Sequence, residues 1–323
     1  MKILLTGKNG QLGWELHRQM ERDHKVIALG RDDIDFLDSR FLFRMLKTLP
    51  KIDLMINATA YTDVDRAEHE PFTAESINSE AAAILASEAE RRSIPIIHLS
   101  CDYVFDGKNL TRPYRETDRP NTHSIYGWTK LEGEVRIRNI SEKHLIFRTS
   151  GLYGTRRRNF FTTMLEQNHS DVAPRVVNDQ VVSPNWTPLV AEAVTEVIGQ
   201  LLRGKRFPWG TYHISGHGNG FTTWYEFARL LFEKANQLWN APLVCPIPVT
   251  TEEYGADVKR PKYSVLDQSL FNTTFNFTLP GWYEQLMLCI GGIQNKQTLS
   301  KEPNYVQFSK TRRDGHLETS QTR

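Results

Sequence analysis

Cysteine is scarce in this chain: Cys101, Cys245 and Cys289 are its three, and no two lie close in sequence. Without a close pair there is no redox motif and no half of a zinc site, so a reducing, cytoplasmic setting is expected. An excess of one charge is missing too. Lys and Arg number 40 against 38 Asp and Glu, and the formal net charge of +2 is too small to call for nucleic acid as a partner. No apolar run reaches the roughly 20 residues that a membrane span needs. The opening MKILLTGKNG ends its short apolar run at a glycine turn, unlike a signal peptide. Neither a membrane nor a metal ion is expected among the partners.

What the chain does have is a repeating alternation. KILLT (Lys2–Thr6) precedes QLGWELHRQM, KVIAL (Lys25–Leu29) precedes FLFRMLKTL, and DLMINAT (Asp53–Thr59) precedes the alanine-rich SEAAAILASEAERR. PIIHLS (Pro95–Ser100) and HLIFRTS (His144–Ser150) continue it, separated by KLEGEVRIRNI. Short apolar strands alternating with longer helical segments predict right-handed crossovers and a doubly wound parallel sheet covered on both faces. Residues 1–170 are assigned mainly to this first α/β domain. Residues 171–290 are assigned mainly to a smaller C-terminal α/β substrate domain, with some segments returning to the first. In that half YHIS (Tyr212–Ser215) is a strand candidate, and helices are expected over Leu189–Leu202 and after Phe221, the second capped by Thr222 or Thr223. From Gly291 the chain is polar without periodicity, and 291–323 is expected to be a disordered tail.

TGKNGQLG places Gly7, Gly10 and Gly13 directly after the first strand and at the opening of the first helix. In that context the first glycine permits a tight turn, the second a close approach of pyrophosphate, and the third close helix packing. The free amides of the helix N-terminus complete an anion site. This is a Rossmann-type, NAD(P)-binding arrangement, with Gly7, Gly10, Gln11, Leu12 and Gly13 as its expected contacts. After the second strand comes GRDDIDF, where Arg31 precedes Asp32, Asp33 and Asp35. An arginine there accommodates a 2'-phosphate, so NADPH is favoured with NADH as the alternative, and Arg31, Asp35 and Phe36 are the expected adenosine-side contacts.

YGWTK puts Tyr126 and Lys130 four residues apart, on one face of a helix. A tyrosine can protonate an oxygen that becomes negative during hydride attack, and a nearby ammonium can hold a cofactor ribose. With these motifs the chain resembles an extended short-chain dehydrogenase/reductase, and within that group the dTDP-4-dehydrorhamnose reductases. The resemblance runs from Lys2 to about Leu288 through TGKNGQLG, NATAYTDVDRAE (Asn57–Glu68), Asn78, SCDYVFDG, YGWTK, FRTSGLYG, NDQ (Asn178–Gln180) and KRPKYSVLD (Lys259–Asp267).

That resemblance implies reduction of the C4 ketone of a nucleotide-linked 6-deoxy-4-ketohexose, with Tyr126, Lys130 and the residue at Cys101 as the catalytic group. It implies Asn57, Ala58, Ala60 and Thr62 beside the nicotinamide half of the cofactor, and Asp102, Tyr103, Val104 and Phe105 on the sugar side. Arg260 is the expected grip on the diphosphate, since a guanidinium binds such groups bidentately. A homodimer is compatible with the resemblance.

Three positions depart from the family pattern. SCDYVF stands where the family usually reads STDYVF, so a thiol, a weak donor, takes the place of a hydroxyl at Cys101. Ser100 or a water is the expected substitute. TSG stands for TSW, so Gly151 removes a tryptophan that the family places near the sugar, and Trp186 in NDQVVSPNW is expected to refill part of that space. Val182 stands where a glycine is typical. Two further readings follow: a reductase for a different nucleotide 4-ketosugar, or a cofactor-binding regulatory subunit with weak or no turnover. A nucleophilic Cys101 partnered by His98 on the same strand is disfavoured, because no third orienting group is identifiable.

Overall fold

The computed structural model describes residues 1–109, 111–168, 172–216, 221–239, 241 and 244–297. Its first half alternates strand and helix: β1 (Lys2–Thr6), α1 (Gln11–Met20), β2 (Lys25–Leu29), α2 (Ser39–Thr48) and β3 (Leu54–Asn57). The short helices α3 (Val64–His69) and α4 (Pro71–Glu75) lead through a π-helical turn, Ser76–Glu80, into α5 (Ala81–Arg91). Then come β4 (Ile96–Cys101), a 3-10 turn Asp102–Val104, α6 (Ile125–Ile140) and β5 (His144–Thr149).

The second half carries β6 (Leu152–Tyr153), α7 (Phe160–Gln167), β7 (Arg175–Val177), β8 (Val181–Val182), β9 (Asn185–Trp186), α8 (Thr187–Leu202) and β10 (Gly210–His213). It closes with β11 (Thr222–Thr223), α9 (Trp224–Trp239), β12 (Ile247–Val249), α10 (Thr251–Tyr254), β13 (Tyr263–Ser264), α11 (Ser269–Phe275) and α12 (Trp282–Gln297). The last helix extends seven residues into the expected tail; 298–323 lie outside the described residues.

The main sheet has the order β10-β5-β4-β3-β1-β2 and every pairing in it is parallel. Alternate residues of each strand feed opposite faces, as the period of two requires. Ile3, Leu5, Ile97, Leu99, Leu145 and Phe147 pack with α1, α8 and α11. Leu4, Met55, Ile96 and Ile146 pack on the other side with Leu42 and Leu46 of α2, Leu85 of α5 and Ile137 of α6. Burying each such aliphatic side chain contributes about 1.5–3 kcal/mol, which is why strands this short hold without disulfides; the three cysteines are all free.

A smaller core lies beside this Rossmann-like unit, where Phe161 and Leu165 of α7 meet Phe227, Leu231 and Phe232 of α9 and Leu286 of α12. Small sheets, β11-β8-β13, β12-β7 and β6-β9, frame it. Strand β10 and helices α8 and α11 belong to the layers of the main sheet although they come late in sequence. The carboxyl ends of β1, β3, β4 and β5 therefore face one crevice, where α/β sheets bind ligands.

Candidate active site

The glycine loop leaves β1 at Gly7, whose φ of +87° is a conformation that side chains rarely adopt. A Cβ there would sit 2.4 Å from the Ala58 carbonyl oxygen. Gly10 donates its N–H to the Gly7 carbonyl (2.9 Å) and caps α1 without a side-chain bond to the first amides. The loop is thus a backbone cradle at an open helix N-terminus, a fit for a pyrophosphate. Leu12 is a core residue, while the Gln11 amide oxygen accepts from Asn159 Nδ2 at 3.1 Å.

The loop after β2 is only partly as expected. Arg31 is exposed. Asp32 accepts from Asn9 Nδ2 (2.7 Å), Asp33 pairs with Lys8 (2.7 Å) and accepts from the Gly30 N–H (2.7 Å), and Asp35 accepts from the Leu37 N–H (2.9 Å). Phe36 is buried in the core beneath α2. Two arginines that sequence reasoning missed flank the same loop. Arg157 Nε donates to the Asn9 carbonyl, and the Arg156 guanidinium lies 4.0 Å from the Trp14 ring. The available signal was the run Arg156, Arg157, Arg158 after FRTSGLYG.

At the end of β3 the Asn57 side chain is buried, and its Oδ1 accepts from the Thr59 N–H (3.0 Å) and from Thr6 Oγ1 (3.0 Å). Its Nδ2 lies 3.1 Å from His98 Nδ1. On the far side of that imidazole, Nε2 lies 3.5 Å from Lys130 Nζ, which donates to the Leu99 carbonyl at 2.7 Å. His98 therefore turns to Asn57 and Lys130, and the thiol–imidazole pair does not form. Ala58 and Ala60 are half-buried and Thr62 is exposed along the loop that follows, which Asn78 fixes by accepting from the Tyr61 N–H (2.8 Å) and donating to Thr129 Oγ1 (3.0 Å).

Helix α6 starts where Ser124 Oγ accepts from the Gly127 N–H (3.1 Å) and Glu68 accepts from the Ile125 N–H (2.7 Å). Its first turns bring Tyr126 and Lys130, both buried, against the end of β4. Tyr126 packs against Cys101, and burial together with that thiol pushes its hydroxyl well above the usual tyrosine range. Burial likewise pushes Cys101 up to about 12. Both shifts favour the protonated forms, so Cys101 is a thiol, not a thiolate nucleophile. Burial holds Lys130 below the usual lysine range.

Behind β4, Ser100 Oγ donates to Glu134 Oε1 at 2.6 Å. Glu134 is fully buried and takes a bidentate grip from the buried Arg148 (2.8 and 2.6 Å). Ser100 is thereby committed to an ion pair and does not substitute for a hydroxyl at Cys101. Val104 and Phe105 are also core residues, with Phe105 stacked on Tyr114 at 4.3 Å and beneath the Arg148 guanidinium. Of the expected sugar-side residues, Asp102 and Tyr103 stay at the crevice. Asp102 is buried; Ser150 Oγ donates to it at 3.3 Å, and burial raises its carboxyl to about 6. The Tyr103 ring meets Tyr126 edge-on at 5.4 Å.

Gly151 does not open a void. Its φ is +52°, and a Cβ on it would lie 3.0 Å from Val182 Cγ2, 3.2 Å from Pro184 Cα and 3.3 Å from the Trp224 ring. Trp224 of α9 occupies the neighbourhood that Trp186 was expected to fill. Trp186 packs on the smaller core and donates its N–H to Gln285 Oε1 (2.7 Å). Arg260 Nη2 donates to both carboxylate oxygens of Asp65 of α3 (2.9 and 2.6 Å), and its Nη1 donates to the Val258 carbonyl. Asp179 of NDQ is a structural tie, accepting from the Thr251 N–H (2.8 Å) and facing Lys262.

A model of the RmlD substrate binding domain family matches residues 1–295. The chain belongs to the dTDP-4-dehydrorhamnose reductase family. A dTDP-4-dehydrorhamnose reductase of Burkholderia thailandensis is 34% identical over 296 residues, covering 90% of this chain and 98% of that protein. The crystal structure of a family member from Clostridium acetobutylicum, 35% identical, superposes with a TM-score of 0.82 over 91% of this chain and 100% of its own. One from Bacillus anthracis in complex with NADP, 31% identical, gives 0.80 over 90% and 99%. Family and fold are those of an NAD(P)H-dependent oxidoreductase. Within this reductase family the tyrosine and lysine of YGWTK meet at the crevice in this chain, while the hydroxyl position is a thiol.

Proposed function

We propose that the protein reduces the C4 ketone of a nucleotide-linked 6-deoxy-4-ketohexose with NADPH, dTDP-4-dehydrorhamnose being the foremost candidate and dTDP-L-rhamnose its product. The observation that carries this is the buried Tyr126 packed against Cys101 at the end of β4, with Lys130 one helical turn on and the glycine cradle at the end of β1 in the same sheet. Gly7, Gly10 and the first turn of α1 hold the pyrophosphate, and Asn57, Ala58 and Lys130 border the nicotinamide half. The nicotinamide supplies the hydride when bound.

Tyr126 gives its hydroxyl proton to the oxygen that becomes negative at C4, which requires the acid form that burial maintains. Cys101 steadies that oxygen as a second, weaker donor, and Tyr103 and Asp102 bound the sugar. Arg31, Arg156 and Arg157 around Asn9 favour the cofactor with the extra phosphate, because Asp32, Asp33 and Asp35 are all engaged in local hydrogen bonds. The direct test follows NADPH consumption with dTDP-4-dehydrorhamnose. Turnover supports the assignment, and tight NADPH binding with no turnover on any 4-ketosugar would replace it with a regulatory role. A reductase for another 4-ketosugar is the second reading, favoured by the thiol at Cys101 and by Trp224 beside Gly151.

A further inference from the structure

The orientation of the Asn57 amide decides the state of His98. A backbone N–H can only donate, so the Asn57 atom 3.0 Å from the Thr59 nitrogen is the oxygen, and the same oxygen takes the Thr6 hydroxyl. The amide nitrogen must then face His98 Nδ1. That nitrogen also can only donate, so Nδ1 is an acceptor and the imidazole proton sits on Nε2. His98 is completely buried, and burial together with Lys130 keeps it neutral. Its Nε2–H is therefore directed toward Lys130 Nζ, 3.5 Å away. An ammonium has three donors and no acceptor, whereas an amine has a lone pair. A donor aimed at Nζ opposes the charged lysine and suits the neutral one.

We propose that His98 is a positioning residue for Lys130: locked as the Nε2–H tautomer by Asn57, it makes the lysine part with its proton more readily than an acceptor at that place would. The inference rests on Lys130 being part of the reductase site. It extends the role of that lysine from a fixed cation to a group whose charge is set by a line of buried hydrogen bonds. That line begins at Thr6, the residue before the cofactor loop.

Other charges act on the pair and define the balance. From α6, Glu134 favours the charged lysine, while Cys101 at the end of β4 is an uncharged thiol. Arg138 opposes a charged His98, and Glu134 favours it. Arg148 of β5 is bound by Glu134 and Asp102 lies beyond Cys101. None of these replaces the imidazole, because none supplies a hydrogen-bonding atom at the 3.5 Å position.

Two signals of the full-length protein test the proposal without cofactor or sugar. Nitrogen-resolved spectra of 15N-histidine-labelled protein, with His98 assigned by its loss in His98→Gln, are expected to show the Nε2–H tautomer and no titration between about pH 5 and 9. The Nδ1–H tautomer, or protonation in that range, overturns the proposal. The Lys130 13Cε signal, assigned with Lys130→Met, is expected to titrate below the surface lysines. In Asn57→Asp the carboxylate accepts from Nδ1–H and turns Nε2 into an acceptor, so the Lys130 midpoint is expected to rise by about one unit. His98→Gln, whose amide oxygen can face Nζ, is expected to do the same. A Lys130 midpoint equal to that of the surface lysines, or one unmoved in both variants, contradicts the proposal. Undiminished ketone reduction by Lys130→Met would instead refute the catalytic reading of the lysine and leave the tautomer result standing.

Discussion

On the cofactor side of the crevice, polar atoms are fixed by buried partners that the sequence motifs name: Gly7 against Ala58, Asn57 between Thr6 and His98, Lys130 on the Leu99 carbonyl. On the sugar side, the expected contacts are divided. Val104 and Phe105 are core, Arg260 is held by Asp65, Ser100 is held by Glu134, and the space at Gly151 is filled by Val182 and Trp224. Under the proposed function, the difference follows from what each side would recognise. A pyrophosphate and a nicotinamide demand one backbone cradle and a few small residues, whereas a sugar can be met by many side-chain combinations.

The comparison breaks most sharply at Tyr126, the proposed acid that the two sides share. Tyr126→Phe should lower the rate of ketone reduction by about 10²- to 10⁴-fold while NADPH binding, followed by fluorescence, persists; a variant that retains its rate would remove the proposed acid. Gly7→Ala should attack the cofactor side alone. The strain at φ +87° and the contact with the Ala58 carbonyl predict NADPH binding weaker by about 10- to 100-fold. Equal affinity in a titration would show that the cradle is not where the pyrophosphate lies.

Cys101→Thr sharpens the sugar side. A hydroxyl is a better oxyanion donor than a thiol, so C4 reduction of dTDP-4-dehydrorhamnose should quicken by roughly tenfold. No gain, or a loss, would mean that the pocket is shaped for another ketosugar. Replacing Arg31 and Arg157 together by glutamine should lower the preference for NADPH over NADH, in the ratio of their dissociation constants, by about 5- to 10-fold. An unchanged ratio would leave the adenosine phosphate without its assigned partners.

The smallest expected effect is on stability. The Asp102 carboxyl, raised to about 6 by burial, favours the folded state while protonated. That contribution is full below the unfolded value near 3.8 and is lost as pH rises through about 6. Asp102→Asn removes it, so the variant should gain a few degrees of melting temperature relative to the parent between acidic and neutral pH. A constant difference across that range would contradict the assignment.

The strands and helices of the first half were legible because each apolar run alternates its residues between two helical layers, as Ile3 and Leu5 against Leu4 illustrate. The glycine loop and the Tyr126–Lys130 pair were legible because backbone geometry and helical spacing tie them to particular residues. Trp224 was not, because it comes from α9, far along the chain, and only tertiary packing sets it beside Gly151. Arg157 and the acceptor for Ser100 escaped for the same reason. Phe36, Val104 and Phe105 lie in cores, and proximity to a motif does not say whether a side chain faces the site or the interior.

The most direct measurement is NADPH oxidation by the purified protein with dTDP-4-dehydrorhamnose, the sugar product resolved by NMR. Turnover to a 4-hydroxy product, abolished in Tyr126→Phe, is the predicted result. Binding of both NADPH and the ketosugar without oxidation in the parent protein would contradict the proposed reduction.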